Sequence, residues 1–165
     1  SAAFGKRLSF YAAAAFTDGK YVSFKDAPPP LEETGGPQVK DISGSLLPGV
    51  SKQAVSFGGE WVEQGRFIGR PGQFFTAFDT SYRSSFSSSA TASKYLVVDG
   101  YTLVNARVGF RAAEGWTVSV WARNLLDKNY YDLLSPAPGN SGLYVGQPGD
   151  SRTFGVTLRL AFKGR

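Results

Sequence analysis

The 165-residue chain has no cysteine, no histidine and no methionine. Without cysteine there is no disulfide, no thiolate metal site and no thiol nucleophile. Without histidine there is no Ser-His-Asp triad and almost no zinc chemistry. Neither absence fixes a compartment. No apolar run reaches 18 residues, so no transmembrane helix is expected, which leaves open a crossing by strands. Charged residues are only 19% of the chain, and the lysines and arginines behind its net charge of +5 are scattered. With no basic block and no base-stacking motif, nucleic acid is not an expected partner. The opening "SAAFGKRLSF" has no initiator methionine and lacks the apolar core and cleavage site of a signal peptide, so the chain reads as an excised or processed piece. The one pair of adjacent carboxylates, Glu32-Glu33, lies in a proline-rich stretch and reads as a solvated turn, not an acid–base pair. The glycine-rich "EQGRFIGRPG" has no helix after it and reads as a turn, not a phosphate cradle. No enzyme activity and no cofactor are expected.

What the chain does have is alternation. In "SRTFGVTLRLAF", Phe154, Val156, Leu158, Leu160 and Phe162 are separated by Gly155, Thr157, Arg159 and Ala161. A period of two is the signature of a strand with two unlike faces. Five further segments repeat it. The first runs from Leu8 to Thr17, with Leu8, Phe10 and Phe16 on one parity. The second sets Val55, Phe57 and Trp61 against Ser56 and Glu60. The third sets Phe74, Phe78 and Tyr82 against Asp79 and Arg83. The fourth sets Val104, Val108 and Phe110 against Asn105, Arg107 and Arg111. The fifth sets Trp116, Val118 and Val120 against Thr117, Ser119 and Arg123. These predict an all-β fold, a six-stranded antiparallel up-and-down meander.

The connections alternate in length as well. Short ones, "EQGRFIGRPG" and "AAEG", alternate with long ones at 18–52, 84–101 and 125–150. A soluble sandwich also alternates its strands, and period alone does not separate the two architectures. Loops this long count against a compact soluble domain. Long loops at one end and short turns at the other suit an outer-membrane barrel, as do aromatics toward segment ends, namely Trp61, Tyr82, Trp116, Phe154 and Phe162. On that reading the apolar faces meet lipid, and the face with Glu60, Asp79, Arg107, Arg123 and Arg159 meets a wet lumen.

The stretch "YTLVNARVGFRAAEGWTVSVWARNLLDKNYY", followed by "SRTFGVTLRLAF", closely resembles the C-terminal end of TonB-dependent outer-membrane receptors. The similarity lies in a strand with an internal Asn, a short turn, and a strand ending in the Asn-Leu-x-Asp-x-x-Tyr motif, here Asn124, Leu125, Asp127 and Tyr130. A long loop and a closing strand rich in glycine and aromatics follow. Upstream, "DISGSLLPGVSKQAVSFGGEW" resembles the family's Leu-Pro-Gly segment, with Ser51 standing where proline is usual.

The resemblance implies that residues 1–165 are the last six strands of a 22-stranded barrel without its plug. It places the chain in the outer membrane of a Gram-negative bacterium. The implied activity is uptake of a siderophore, cobalamin or another scarce nutrient. The implied partners are the plug, the remaining strands, TonB reached through the missing N-terminal region, lipid and lipopolysaccharide, and a small-molecule ligand. Tyr130, Tyr131 and Tyr144, in the last long loop, are candidates to stack on that ligand. Arg107, Arg123 and Arg159 are candidates to pair with plug carboxylates, or with Glu60 and Asp79 across strands. Asn124, Leu125, Asp127 and Tyr130 form a structural motif whose Asn and Asp side chains stabilise a turn. The closing strand also resembles the signal read by the outer-membrane assembly machinery, with Lys163, Gly164 and Arg165 beyond its final aromatic. A passive porin-like channel, a soluble binding module and, least of all, an outer-membrane hydrolase are the competing readings.

Overall fold

The computed structural model describes residues 2–4, 7–139 and 142–161. Phe162 and the three residues after it lie outside these. Eleven strands run in chain order as β1 (Ala2–Phe4), β2 (Leu8–Phe16), β3 (Gln53–Phe67), β4 (Arg70–Arg83), β5 (Phe86–Ser87) and β6 (Val97–Val98). They continue as β7 (Tyr101–Ala112), β8 (Trp116–Arg123), β9 (Tyr131–Pro136), β10 (Tyr144–Pro148) and β11 (Thr153–Leu160). A single 3-10 turn, Leu31–Glu33, interrupts the first long loop. Among the described residues no helix is long and apolar enough to cross a membrane.

The main sheet is antiparallel in the order β1-β2-β3-β4-β7-β8-β11. It contains the six alternating segments as sequence neighbours with no crossover, plus the short β1 at one edge. The skipped strands form two small hairpins, β5–β6 and β9–β10, inside the long connections. Two of the stretches expected as plain loops therefore carry structure of their own.

The register makes each parity continuous across the sheet. One row runs Leu8, Trp61, Thr76, Val108, Val120, Val156, and the next runs Phe10, Gly59, Phe78, Ala106, Ala122, Phe154. On the opposite face Ser9, Glu60, Ala77, Arg107, Trp121 and Gly155 are paired in turn. Because adjacent residues point to opposite sides, one register separates the two chemistries over the whole wall. The apolar face is bare. Val108, Val120, Val156 and Leu158 are 48%, 51%, 70% and 64% exposed.

Three sequence expectations need correction. "EQGRFIGRPG" is not a loose connection, since β3 continues to Phe67 and β4 restarts at Arg70, with Phe67 facing Arg70 across a two-residue turn. Ile68 and Gly69 in that turn have φ of 50° and 75°. Two positive φ values match the right-handed twist of a hairpin. The glycines that read as breakers serve close approach instead. A Cβ on Gly65 would lie 2.8 Å from the Phe74 ring, and one on Gly72 would lie 2.3 Å from the Arg111 carbonyl. The second correction follows. Trp61 is mid-strand, because β3 extends to Phe67. Its same-face neighbour two residues on, Glu63, is ion-paired with Arg7 at 2.9 Å. That pair is an exception on an apolar row, since Glu63 lines up with Phe74, Phe110, Val118 and Leu158.

The third correction adds to the expectation for Glu32, an exposed residue on its turn whose carboxylate also accepts hydrogen bonds from two other loops. The loop end of the molecule contains six of its most buried side chains, Ala27, Ile42, Phe86, Ser93, Leu96 and Val98. Glu32 sits against that layer, as described below. At the short-turn end Phe110 is 2% exposed beneath Phe67, Phe74 and Trp116, with ring centroids 4.9–5.6 Å from its own. There the two short turns are tied together by Arg70 and Glu114 at 2.8 Å.

Candidate functional site: a charged wall beneath interlocked loops

Two regions carry the polar chemistry. The first is the wall formed by the second parity of β3, β4, β7, β8 and β11. Arg111 makes a bidentate contact with Glu60, at 2.8 and 2.7 Å, and its guanidinium lies 4.1 Å above the Phe75 ring. Arg107 reaches the same carboxylate at 3.4 Å. Phe75 is only 4% exposed because it lies over Gly109, where a Cβ would be 2.7 Å from its ring. Asp79 accepts a hydrogen bond from Asn105 at 2.6 Å. Trp121 lies across Gly155 and donates from Nε1 to Thr157 at 3.1 Å.

The expected charges therefore divide. Glu60, Asp79 and Arg107 are paired within the wall, and Arg111, a residue not singled out in advance, is the main partner of Glu60. Its parity with Arg107 was the available signal. Arg123 and Arg159 share this face, since Arg159 faces Thr117 and Arg123 faces Thr153. Among the described residues neither has a carboxylate partner, and Arg123 lies 5.3 Å from the Trp121 ring. With Arg107 and Arg111 they border an open groove of about 600 Å³. Among the described residues no three Asp or Glu side chains converge as metal ligands would.

The second region is the loop end. Asn124, 3% exposed, sits at φ 46° where β8 ends. Its backbone N–H donates to Asn105 Oδ1 at 3.0 Å, and its side chain joins Lys128 N, Lys128 O and Asp150 O at 2.9, 2.9 and 3.0 Å. One amide thus links β7, the turn after β8 and the approach to β11. Asp127, at φ 54°, pairs with Arg152 at 3.3 Å, and Leu125 donates its N–H to the Val104 carbonyl at 2.7 Å. Asn and Asp tolerate the left-handed region better than other chiral residues, which suits them to this turn.

The three candidate tyrosines are not brought together. Tyr130 stacks on Tyr101 at 4.4 Å, and its hydroxyl accepts from the Asp150 N–H at 3.2 Å. Both Tyr130 and Tyr131 border a cleft of about 510 Å³, with Asp99, Lys128 and Asp150. Tyr144 is elsewhere, stacked on Tyr95 at 5.4 Å with its hydroxyl donating to Glu32. Glu32 also accepts from Ser93 Oγ at 2.8 and 3.0 Å and from the Lys94 N–H at 3.1 Å. Burial alone would raise the Glu32 carboxyl. The hydrogen bonds from Tyr144, from its own backbone, from Ser93 and from Lys94 outweigh that and hold it at about 2. The same contact, aided by burial, pushes the Tyr144 hydroxyl up. Nothing local to "PPPLEET" signals this, because the donors are 61 to 112 residues away.

An open antiparallel wall, apolar on one face and ionic on the other, with short turns at one end and structured loops at the other, is a segment of a transmembrane β-barrel. The family described as TonB dependent receptor-like, beta-barrel, matches residues 2–125, and the chain belongs to it. Members are barrels of the Gram-negative outer membrane. The apolar face is the one suited to lipid, and the ionic face the one suited to water. Among relatives, the chain is 33% identical over 63 residues to the ferric-pyoverdine M114 receptor PbuA of Pseudomonas sp. (strain M114). That alignment covers 38% of this chain and 7% of the receptor. The crystal structure of the ferric yersiniabactin uptake receptor FyuA from Yersinia pestis superposes with a TM-score of 0.60 at 19% identity. It matches 74% of this chain and 17% of its own, and shows the shared fold. The chain spans a small fraction of either relative.

Proposed function

We propose that this chain is the C-terminal part of the barrel of a TonB-dependent transporter for a ferric siderophore. Together with sixteen further strands and a plug it would make a working receptor. The names of the two relatives, both receptors for ferric siderophores, support the substrate class. The observation that carries the reading is the lumenal face. A passive channel would leave its lumenal charges to water, whereas a barrel that holds a plug can pair them with it. Here Arg107 and Arg111 share Glu60, while Arg123 and Arg159 on the same face have no carboxylate partner among the described residues. A plug surface bearing Asp or Glu would complete them, because a charge left unpaired where water is scarce is costly. Tyr130 and Tyr131, beside the external cleft, offer aromatic faces to an incoming ligand.

The reading is tested with the full-length gene that encodes this segment, in a strain lacking its own siderophore receptors. Growth on ferric pyoverdine or ferric yersiniabactin as sole iron source, lost when TonB is deleted, is the expected result. Uptake that persists without TonB identifies a passive channel instead. A second measurement addresses the wall. Arg123→Ala with Arg159→Ala should raise the conductance of the reconstituted receptor several-fold by loosening the plug. Arg107→Ala alone should change it less, because Glu60 keeps Arg111.

A further inference from the structure

We propose that Glu32 is the positioning residue that fastens the three external loops into one cap, and that the cap opens where Tyr144 leaves it. This rests on the reading of the loops as the ligand-capturing surface and adds to it a residue that resembles no ligand contact.

The geometry is specific. Glu32 stands on the 3-10 turn of the first loop, following three prolines that stiffen its approach. Oε1 accepts from Ser93 Oγ and the Lys94 N–H, and Oε2 accepts from Tyr144 and again from Ser93. Both oxygens are therefore occupied by donors from the second and third loops. A charged acceptor with several donors makes hydrogen bonds about twice as strong as neutral ones. Among the described residues no other side chain bonds all three loops.

The two halves of the fastening are unequal. The second loop meets Glu32 through two residues and the first loop again at its base. Ser93 and Lys94 bind Glu32, and Ser93, 2% exposed, also accepts the Tyr95 N–H at 3.2 Å. At its base, Gly49 of the first loop donates to the Ser87 carbonyl at 2.8 Å, and Arg83 donates to Ser51 and Gly49 at 2.6 Å each. The third loop meets Glu32 through a single hydroxyl, supported by stacking on Tyr95, which is 52% exposed. Its β9 side is tied independently, by Ser88 Oγ donating to the Leu134 carbonyl at 2.7 Å. Release at Tyr144 therefore frees the β10 edge of the β9–β10 hairpin from the first loop, while the hairpin's own ladder and Ser88 keep its β9 side docked. A freed Tyr144 presents both a ring and a hydroxyl at the external face.

Amide hydrogen exchange on the full-length receptor in detergent micelles, without ligand, tests this independently of transport. Glu32→Ala should speed exchange about tenfold or more at Lys94 and across 142–148, leaving β7 and β8 unchanged. Tyr144→Phe should speed 142–148 alone. Pairing Glu32→Cys with Tyr144→Cys and bridging the thiols with dibromobimane should return 142–148 to wild-type protection, and this segment has no native cysteine to compete. Unchanged exchange at both places in Glu32→Ala overturns the proposal. So does acceleration that spreads equally into β7 and β8, because the residue would then support the barrel and not the cap. Failure of siderophore uptake alongside the expected exchange pattern would count against the transport reading and leave the cap standing.

Discussion

At the scale of single residues, period two makes neighbours chemically opposite. Val120 lies on the apolar face in a row with Val108 and Val156, and Ser119 lies on the polar face beside Gly109 and Thr157. In the full-length receptor, Val120→Arg should cost about 2–4 kcal/mol, because it moves a charge into hydrocarbon. Ser119→Arg should cost far less, since lumenal water is within reach. Folding titrations in lipid vesicles measure both, and equal penalties would reverse the faces. Ile68 offers a second case. A β-branched residue at φ 50° is strained, and Asn is the usual occupant of such a hairpin turn. Its side chain is 80% exposed, so little packing is lost on replacement. Ile68→Asn should stabilise the receptor by about 1 kcal/mol, read as a higher urea midpoint.

Elements are where the sequence was most and least legible. Six strands, their order and their two faces follow from alternation, because a half-lipid, half-water wall forces every residue to declare a side. The extent of β3 and β4 does not follow, because Gly65, Gly72 and Pro71 resemble punctuation. They are tolerated in strands for different reasons, the glycines for close ring and backbone approach and Pro71 because it stands near a strand start. The small hairpins β5–β6 and β9–β10 were hidden too, the first because its strands have two residues each and the second because "YDLLSP" and "YVGQP" do not alternate. In the site, Arg107, Arg123 and Arg159 were legible by parity. Which of them is already paired was not, since pairing depends on Glu60, 47 residues from Arg107. Close approach also makes a prediction. A methyl on Gly109 would stand 2.4 Å from the Val118 carbonyl and 2.7 Å from Phe75. Gly109→Ala should cost about 1–3 kcal/mol by forcing β7 from β8, seen as a lower unfolding midpoint with faster exchange along both strands.

For the molecule as a whole, the division is between a wall whose faces are set by solvent and a loop layer with its own buried side chains. The acid response of that layer should be weak. A carboxyl held at about 2 when folded contributes stability that is fully present above its ordinary value of 4.5. That contribution is lost as pH falls through about 2. The groups facing Glu32 are Ser93, the Lys94 N–H and Tyr144, none of which titrates in mildly acid solution. The ring signal of isotope-labelled Tyr144 in micelles should therefore stay constant from pH 7.5 to pH 5. A shift centred near pH 5 would show that the carboxylate is not held in this way. The loop layer also bears on heredity. Because one carboxylate answers to donors as much as 112 residues away, the joined loops should not diverge as separate cassettes. A recombinant that imports segment 84–101 from a distant homologue, without matching changes at residues 32 and 144, inherits a broken joint. Exchanges that carry all three together keep it, so new specificities of this receptor would spread as linked blocks.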